Sequence, residues 1–70
     1  MTREKHLEWA KQRALKYWLK GDLLEAVTSL GSDLTKHPEL RPNVDLFYYG
    51  MMLAKRKDIL GVKIWIEGFR

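Results

Sequence analysis

The sequence predicts an all-α fold, a small four-helix domain made of two helical hairpins. Three observations predict it. Apolar residues recur at steps of three and four in four separate segments, the spacing that gathers them on one face of a helix. Helix breakers fall between those segments: Gly21, the prolines Pro38 and Pro42, and the basic turn Lys55-Arg56-Lys57. Only the last segment also alternates as a strand would, and a lone strand has nothing to pair with.

The first helix is expected from about Thr2 to Lys20. Its residues are strong helix formers, and Leu7, Ala10, Ala14, Tyr17 and Trp18 share a face. Gly21 stops it, with Lys20 in the last turn, where a cation suits the helix dipole. Asp22 starts the second helix, and Glu25 three residues later completes a capping-box-like pattern. Leu23, Val27, Leu30 and Leu34 form its core stripe, with Ala26 beside them, and it ends near Lys36 because Pro38 disfavours α geometry at His37. Gly31 inside this helix costs about 1 kcal/mol against alanine, which the close approach of another helix would explain.

His37 to Pro42 reads as a connector, and Asn43 as the cap of a third helix running to about Lys55. Val44, Phe47, Met51 and Ala54 make one stripe on it; Leu46, Tyr49 and Leu53 make another on nearly the opposite side, with Tyr48 and Met52 between. A helix apolar on most sides is either central in its fold or shared with a partner. Asp58 caps a last helix to about Glu67, with Ile59, Val62, Ile66 and Phe69 at helical steps. Residues 1–70 thus make a single helical domain.

A chain of 70 residues buries only about 60% of its unfolded surface, so it needs a well-packed core or an associated chain. There is no cysteine, which excludes disulfides, thiolate catalysis and the common zinc sites. No run approaches the ~20 apolar residues that span a bilayer, and the start of the chain leads into a charged amphipathic stretch, so a soluble protein of the cytoplasm is expected, with no membrane partner. The net charge of +4 lies between Thr2 and Lys20, where six basic residues face two acidic ones.

Catalytic chemistry has little to stand on. His6 and His37 are far apart in sequence, and neither has a second histidine one turn away, so no metal site is expected; His6 is placed on a solvated face and His37 at a helix end, near terminal carbonyls. Thr28, Ser29 and Ser32 lack a nucleophile-elbow sequence, and the glycines form neither a phosphate loop nor a dinucleotide fingerprint. Asp22 and Glu25 are better explained by capping than by acid–base work. No enzyme activity, cofactor or small-molecule substrate is expected.

Two features carry binding expectations instead. On a helical wheel Lys5, Trp9, Arg13, Lys16 and Lys20 cluster opposite Leu7 and Ala14. An aromatic ring among cations suits nucleic acid or an acidic protein; the position suits Trp9 equally as a packing residue covered by Arg13 through a cation–π contact. The second feature is the doubly apolar third helix with its Tyr48-Tyr49-Gly50-Met51-Met52 run, residue types favoured at interfaces and equally at home in a core. The leading expectation is a non-enzymatic protein that binds a host or phage protein, or itself as a homo-oligomer, through Trp9, Leu46, Tyr49 and Leu53. The alternative is a small nucleic-acid-binding protein using Lys5, Trp9, Arg13, Lys16 and Lys20. A component of a larger particle is the third.

Two resemblances accompany these readings. Ala14, Tyr17, Gly21, Ala26, Leu30 and Pro38 resemble a single tetratricopeptide-type repeat, a helical hairpin of about 34 residues. The likeness departs at Asp33, where that repeat usually has alanine, and does not extend to Val44–Phe69. Over nearly the whole chain, the runs Glu8-Trp9-Ala10-Lys11-Gln12-Arg13-Ala14-Leu15, Ser32 to Glu39 and Ile66-Glu67-Gly68-Phe69 resemble small proteins of actinobacterial phages. That resemblance implies a phage or prophage origin and expression inside a bacterial host, and it transfers no functional residue.

Overall fold

Thr2 opens the first helix. Its hydroxyl accepts from the Lys5 N–H at 3.2 Å, which satisfies one of the amide donors a helix start leaves unpaired. The structure, a computed structural model, describes residues 2–41 and 43–70, so Pro42, the second proline of the connector, lies outside the described residues. Four α-helices follow in order: α1 (Arg3–Leu19), α2 (Leu23–Thr35), α3 (Val44–Lys55) and α4 (Ile59–Glu67), with a 3-10 turn at Pro38–Leu40. The last segment is helix rather than strand, and the fold is a small all-α domain.

The core is built where small residues let backbones approach. Ala10 and Ala14 of α1 and Ala26 of α2 are fully buried, and Val27, Leu30 and Leu34 fill the space between. α3 then packs on α2. The ring of Phe47 occupies the place a Cβ would take at Gly31, so the glycine inside α2 admits α3. α4 closes the bundle by touching α1, α2 and α3, with Val62 and Ile66 fully buried. Cations of α1 meet the end of α4 and the residues after it: Lys11 donates to the Glu67 carbonyl at 3.1 Å and Arg3 to that of Arg70.

Trp65, which periodicity did not single out, organises the second hairpin. Its indole lies over Gly50, where a Cβ would meet it at 2.5 Å. Its N–H donates to the Leu46 carbonyl at 3.0 Å, and Phe69 packs edge-on with ring centroids 4.9 Å apart.

Several local expectations need correction. Asp22 stands at the N-cap of α2, but its side chain makes no capping bond, so the capping box is not formed. Asn43 and Asp58 do cap, accepting from Asp45 N at 2.7 Å and Gly61 N at 2.9 Å. The connector is more ordered than a linker. His37 caps the 3-10 turn by accepting from Glu39 N at 3.2 Å, Pro38 has no N–H to lose at the first position, and Leu40 is delivered into the core. On α3 neither apolar stripe is buried as a unit, because the core line runs through Gly50, Leu53 and Ala54 between them. On α4 Ile59 is exposed.

Candidate interaction surfaces

The α1 basic-aromatic cluster keeps its cations at the surface and turns its aromatic centre inward. Trp9 is half-buried and packs against the core; Arg13 lies over its ring at 5.0 Å, and the His6 ring is 5.3 Å away on a tilt. Arg13 is also spoken for by Asp33 of α2. Its Nε stands 3.0 Å from Oδ2, a charge contact without hydrogen-bond alignment, while Lys36 donates to Oδ1 at 3.4 Å. The Asp33 side chain is 3% exposed, so this carboxylate is one of the few buried polar groups in the chain. The wheel placed Trp9 opposite the core, but a tryptophan is long enough to lean round the helix. Lys5, Arg13, Lys16 and Lys20 of the expected set are exposed, with Arg13 drawn over Trp9 and toward Asp33 and Lys20 leaning over Tyr17.

His6 corrects the same way. It is half-buried, and its Nε2 donates to the Asp33 carbonyl at 2.7 Å, since a carbonyl can only accept. Its ring meets that of His37 at 5.3 Å, so two histidines 31 positions apart are neighbours across the α1–connector contact. Among the described residues, no group of three or more His, Asp or Glu side chains is placed to hold a metal ion.

The third helix divides. Leu53 is 5% exposed and belongs to the core, a correction to its place among the partner contacts. Leu46 and Tyr49 are open to solvent and line a groove with Ile64, Trp65, Gly68 and Phe69 of the last segment. Met52 is exposed one turn after Tyr49 on α3, as Leu60 is one turn before Ile64 on α4. The outer face of the α3–α4 hairpin therefore carries Leu46, Tyr49, Met52, Leu60 and Ile64, each between 42% and 65% exposed, while Tyr48 turns to a groove against Thr28, Gly31, Ser32 and Thr35 of α2. Leu60 and Ile64 were not among the expected contacts. The alternation that made the last segment strand-like was the sign that α4 carries apolar residues on two sides.

A second apolar surface sits at one end of the bundle. Both hairpins close with the same chain geometry. In the first, Gly21 N bonds to the Trp18 carbonyl and Asp22 N to that of Tyr17; in the second, Lys57 N bonds to Ala54 and Asp58 N to Leu53, all four at 3.0 Å. This is the Schellman ending, and its penultimate residue must enter the left-handed region. Gly21 does so at φ 80°, Lys57 at φ 58°. The sequences are parallel as well, Lys20-Gly21-Asp22-Leu23-Leu24 against Arg56-Lys57-Asp58-Ile59-Leu60. The turns are neighbours: the Trp18 indole N–H donates to the Ile59 carbonyl at 2.7 Å. Between them opens a groove of about 680 Å³, walled by Trp18, Leu19, Leu24 and Ile59 over Leu23 and Ala54, with Asp22 and Lys57 on its lining.

Among the described residues, no helix is long and apolar enough to cross a membrane. Comparison with protein families, with curated proteins and with solved structures finds no match to this chain.

Proposed function

We propose that this chain is a non-enzymatic interaction protein of phage or prophage origin, acting in the bacterial cytoplasm, whose α3–α4 hairpin docks on a host or phage protein. One observation carries the reading: five large apolar side chains, Leu46, Tyr49, Met52, Leu60 and Ile64, share the outer face of two antiparallel helices and are 42–65% exposed. Solvent-facing apolar residues scattered singly need no explanation, whereas a contiguous set does. Tyrosine and methionine give a binding face broad contact area that adapts to a partner at modest ordering cost. The hairpin beneath is held rigid by Trp65 on Gly50, so the face is presented rather than assembled on contact.

The nucleic-acid alternative loses support because Trp9 and Arg13, its centre, are engaged with His6 and Asp33. The test places a photo-crosslinking amino acid at Tyr49 of the full chain expressed in the bacterial host, with Glu8 on the exposed side of α1 as the control. The expected result is a discrete adduct with another protein from position 49 and none from position 8. No adduct from position 49, or the same products from both positions, would refute the docking face. Adducts of this chain with itself from position 49 alone would replace the foreign partner by a second copy.

A further inference from the structure

The end of the bundle where the two turns meet is a different surface from the α3–α4 face, and its chemistry is different. Leu19 is 75% exposed, Ile59 59% and Leu24 48%, and all three border one recess floored by the buried Leu23 and Ala54. A recess with a buried apolar floor takes a side chain. The charge around it is one-sided. Segments 16–25 and 55–63 carry Lys16, Lys20, Lys55, Arg56, Lys57 and Lys63 against Asp22, Glu25 and Asp58, a sum of +3. Asp58 is already engaged as the cap of α4. Among the described residues the ion pairs are those of Arg13 and Lys36 with Asp33, at the other end of α2, so these cations have no carboxylate of the chain as partner.

Lys57 adds an independent sign. The equivalent position of the first hairpin is glycine, the residue that enters the left-handed region without steric cost. Lys57 holds the same conformation with a full side chain, at a position lining the groove. The Schellman bonds hold that conformation at either residue, and glycine would hold it at lower cost, so the turn itself does not call for the lysine side chain that lines the groove.

We propose that this groove binds an acidic amphipathic segment of a partner protein, with a leucine or phenylalanine of that segment seated over Leu23 and Ala54 and flanking carboxylates on Lys57 and its basic neighbours. The recess favours a peptide over a lipid surface, which offers no side chain to fill it. The walls are aliphatic apart from Trp18, whose ring is already faced by Lys63 at 5.3 Å, so stacked bases find no free platform.

The test uses the full chain and labelled peptides of about 16 residues, roughly four helical turns, built only from leucine, phenylalanine, glutamate and aspartate. Apolar residues are placed at helical spacing in one peptide and alternately in another, and matched controls carry lysine at every acidic position. Binding is followed by fluorescence anisotropy at low and moderate salt, beside phosphatidylserine vesicles and a single-stranded oligonucleotide. The expected result is binding of an acidic peptide that weakens with salt and is absent for its lysine counterpart. Ile59→Ser should weaken it by about tenfold, as the loss of one seated apolar contact implies. Lys57→Gly should weaken it about two- to fivefold, the scale of a solvent-exposed ion pair, while raising the melting temperature, so the loss cannot be blamed on unfolding. Tyr49→Ser on the α3–α4 face should leave peptide binding intact, which separates failure of this groove from failure of that face. Equal binding of acidic and lysine peptides, binding of vesicles or oligonucleotide alone, or no binding at all would overturn the proposal.

Discussion

The two hairpins end in the same turn and then diverge. In the first, α1 meets α2 through fully buried alanines, and what charge enters the contact is gathered on one carboxylate, Asp33, gripped from α1 by Arg13 and from its own helix by Lys36. In the second, α3 and α4 meet through a tryptophan laid on a glycine, and the large side chains on either side of that contact remain outside. Small residues at a helix contact allow close approach and let their neighbours be covered. A bulky contact instead sets the helices so that flanking side chains point away. The first hairpin is therefore a scaffold, and the second is a scaffold on one side and a surface on the other.

The comparison breaks first if the first hairpin does not dominate stability. Leu30→Ala removes a fully buried side chain between α1 and α2 and should cost about 2–5 kcal/mol in urea unfolding, a large part of what so small a domain has. Asp33→Asn keeps the shape but removes the charge that two cations share; because Arg13 and Lys36 remain partly solvated, about 1–2 kcal/mol is expected by the same measurement. Thermal melts sharpen the contrast between the turns. Asp58→Ala loses a capping bond and should cost about 1 kcal/mol, whereas Asp22→Ala loses none and should stay under about 0.5 kcal/mol. Lys57→Gly should gain about 1 kcal/mol by relieving the left-handed residue, while Gly21→Ala should lose a similar amount. Smallest are the outer-face changes: Leu60→Ser and Ile64→Ser should each alter unfolding by no more than about 0.5 kcal/mol while abolishing the crosslink from position 49.

Much of the helical layout was legible in the residues, and the reason is local. The stripe of Leu23, Val27, Leu30 and Leu34 is buried throughout, since its spacing leaves a helix one face to hide. Caps at Asn43 and Asp58 follow from short polar side chains beside free amide groups. A capping pattern supplies the residue types at Asp22, while the bond depends on where the side chain turns: Asp58 caps at nearly the same backbone angles, φ −82° and ψ 85° against φ −90° and ψ 68°. The candidate surfaces were less legible. Trp9 has the wheel position of a solvent residue and the reach of a core residue, and only His6, Arg13 and Asp33 around it decide between them. Nothing in its own helix announces that Trp65 meets Gly50 across the hairpin.

Periodicity, breakers and composition by themselves determined that this chain is helical, where its four helices begin and end to within a few residues, and that more apolar side chains are present than one face of each helix can hold. Which of them stay outside was decided only by tertiary structure. Burial depends on how closely two backbones approach, and that distance is set by residues far apart in sequence: Gly31 beneath Phe47, Gly50 beneath Trp65, and the two turns brought side by side by the bond from Trp18 to Ile59.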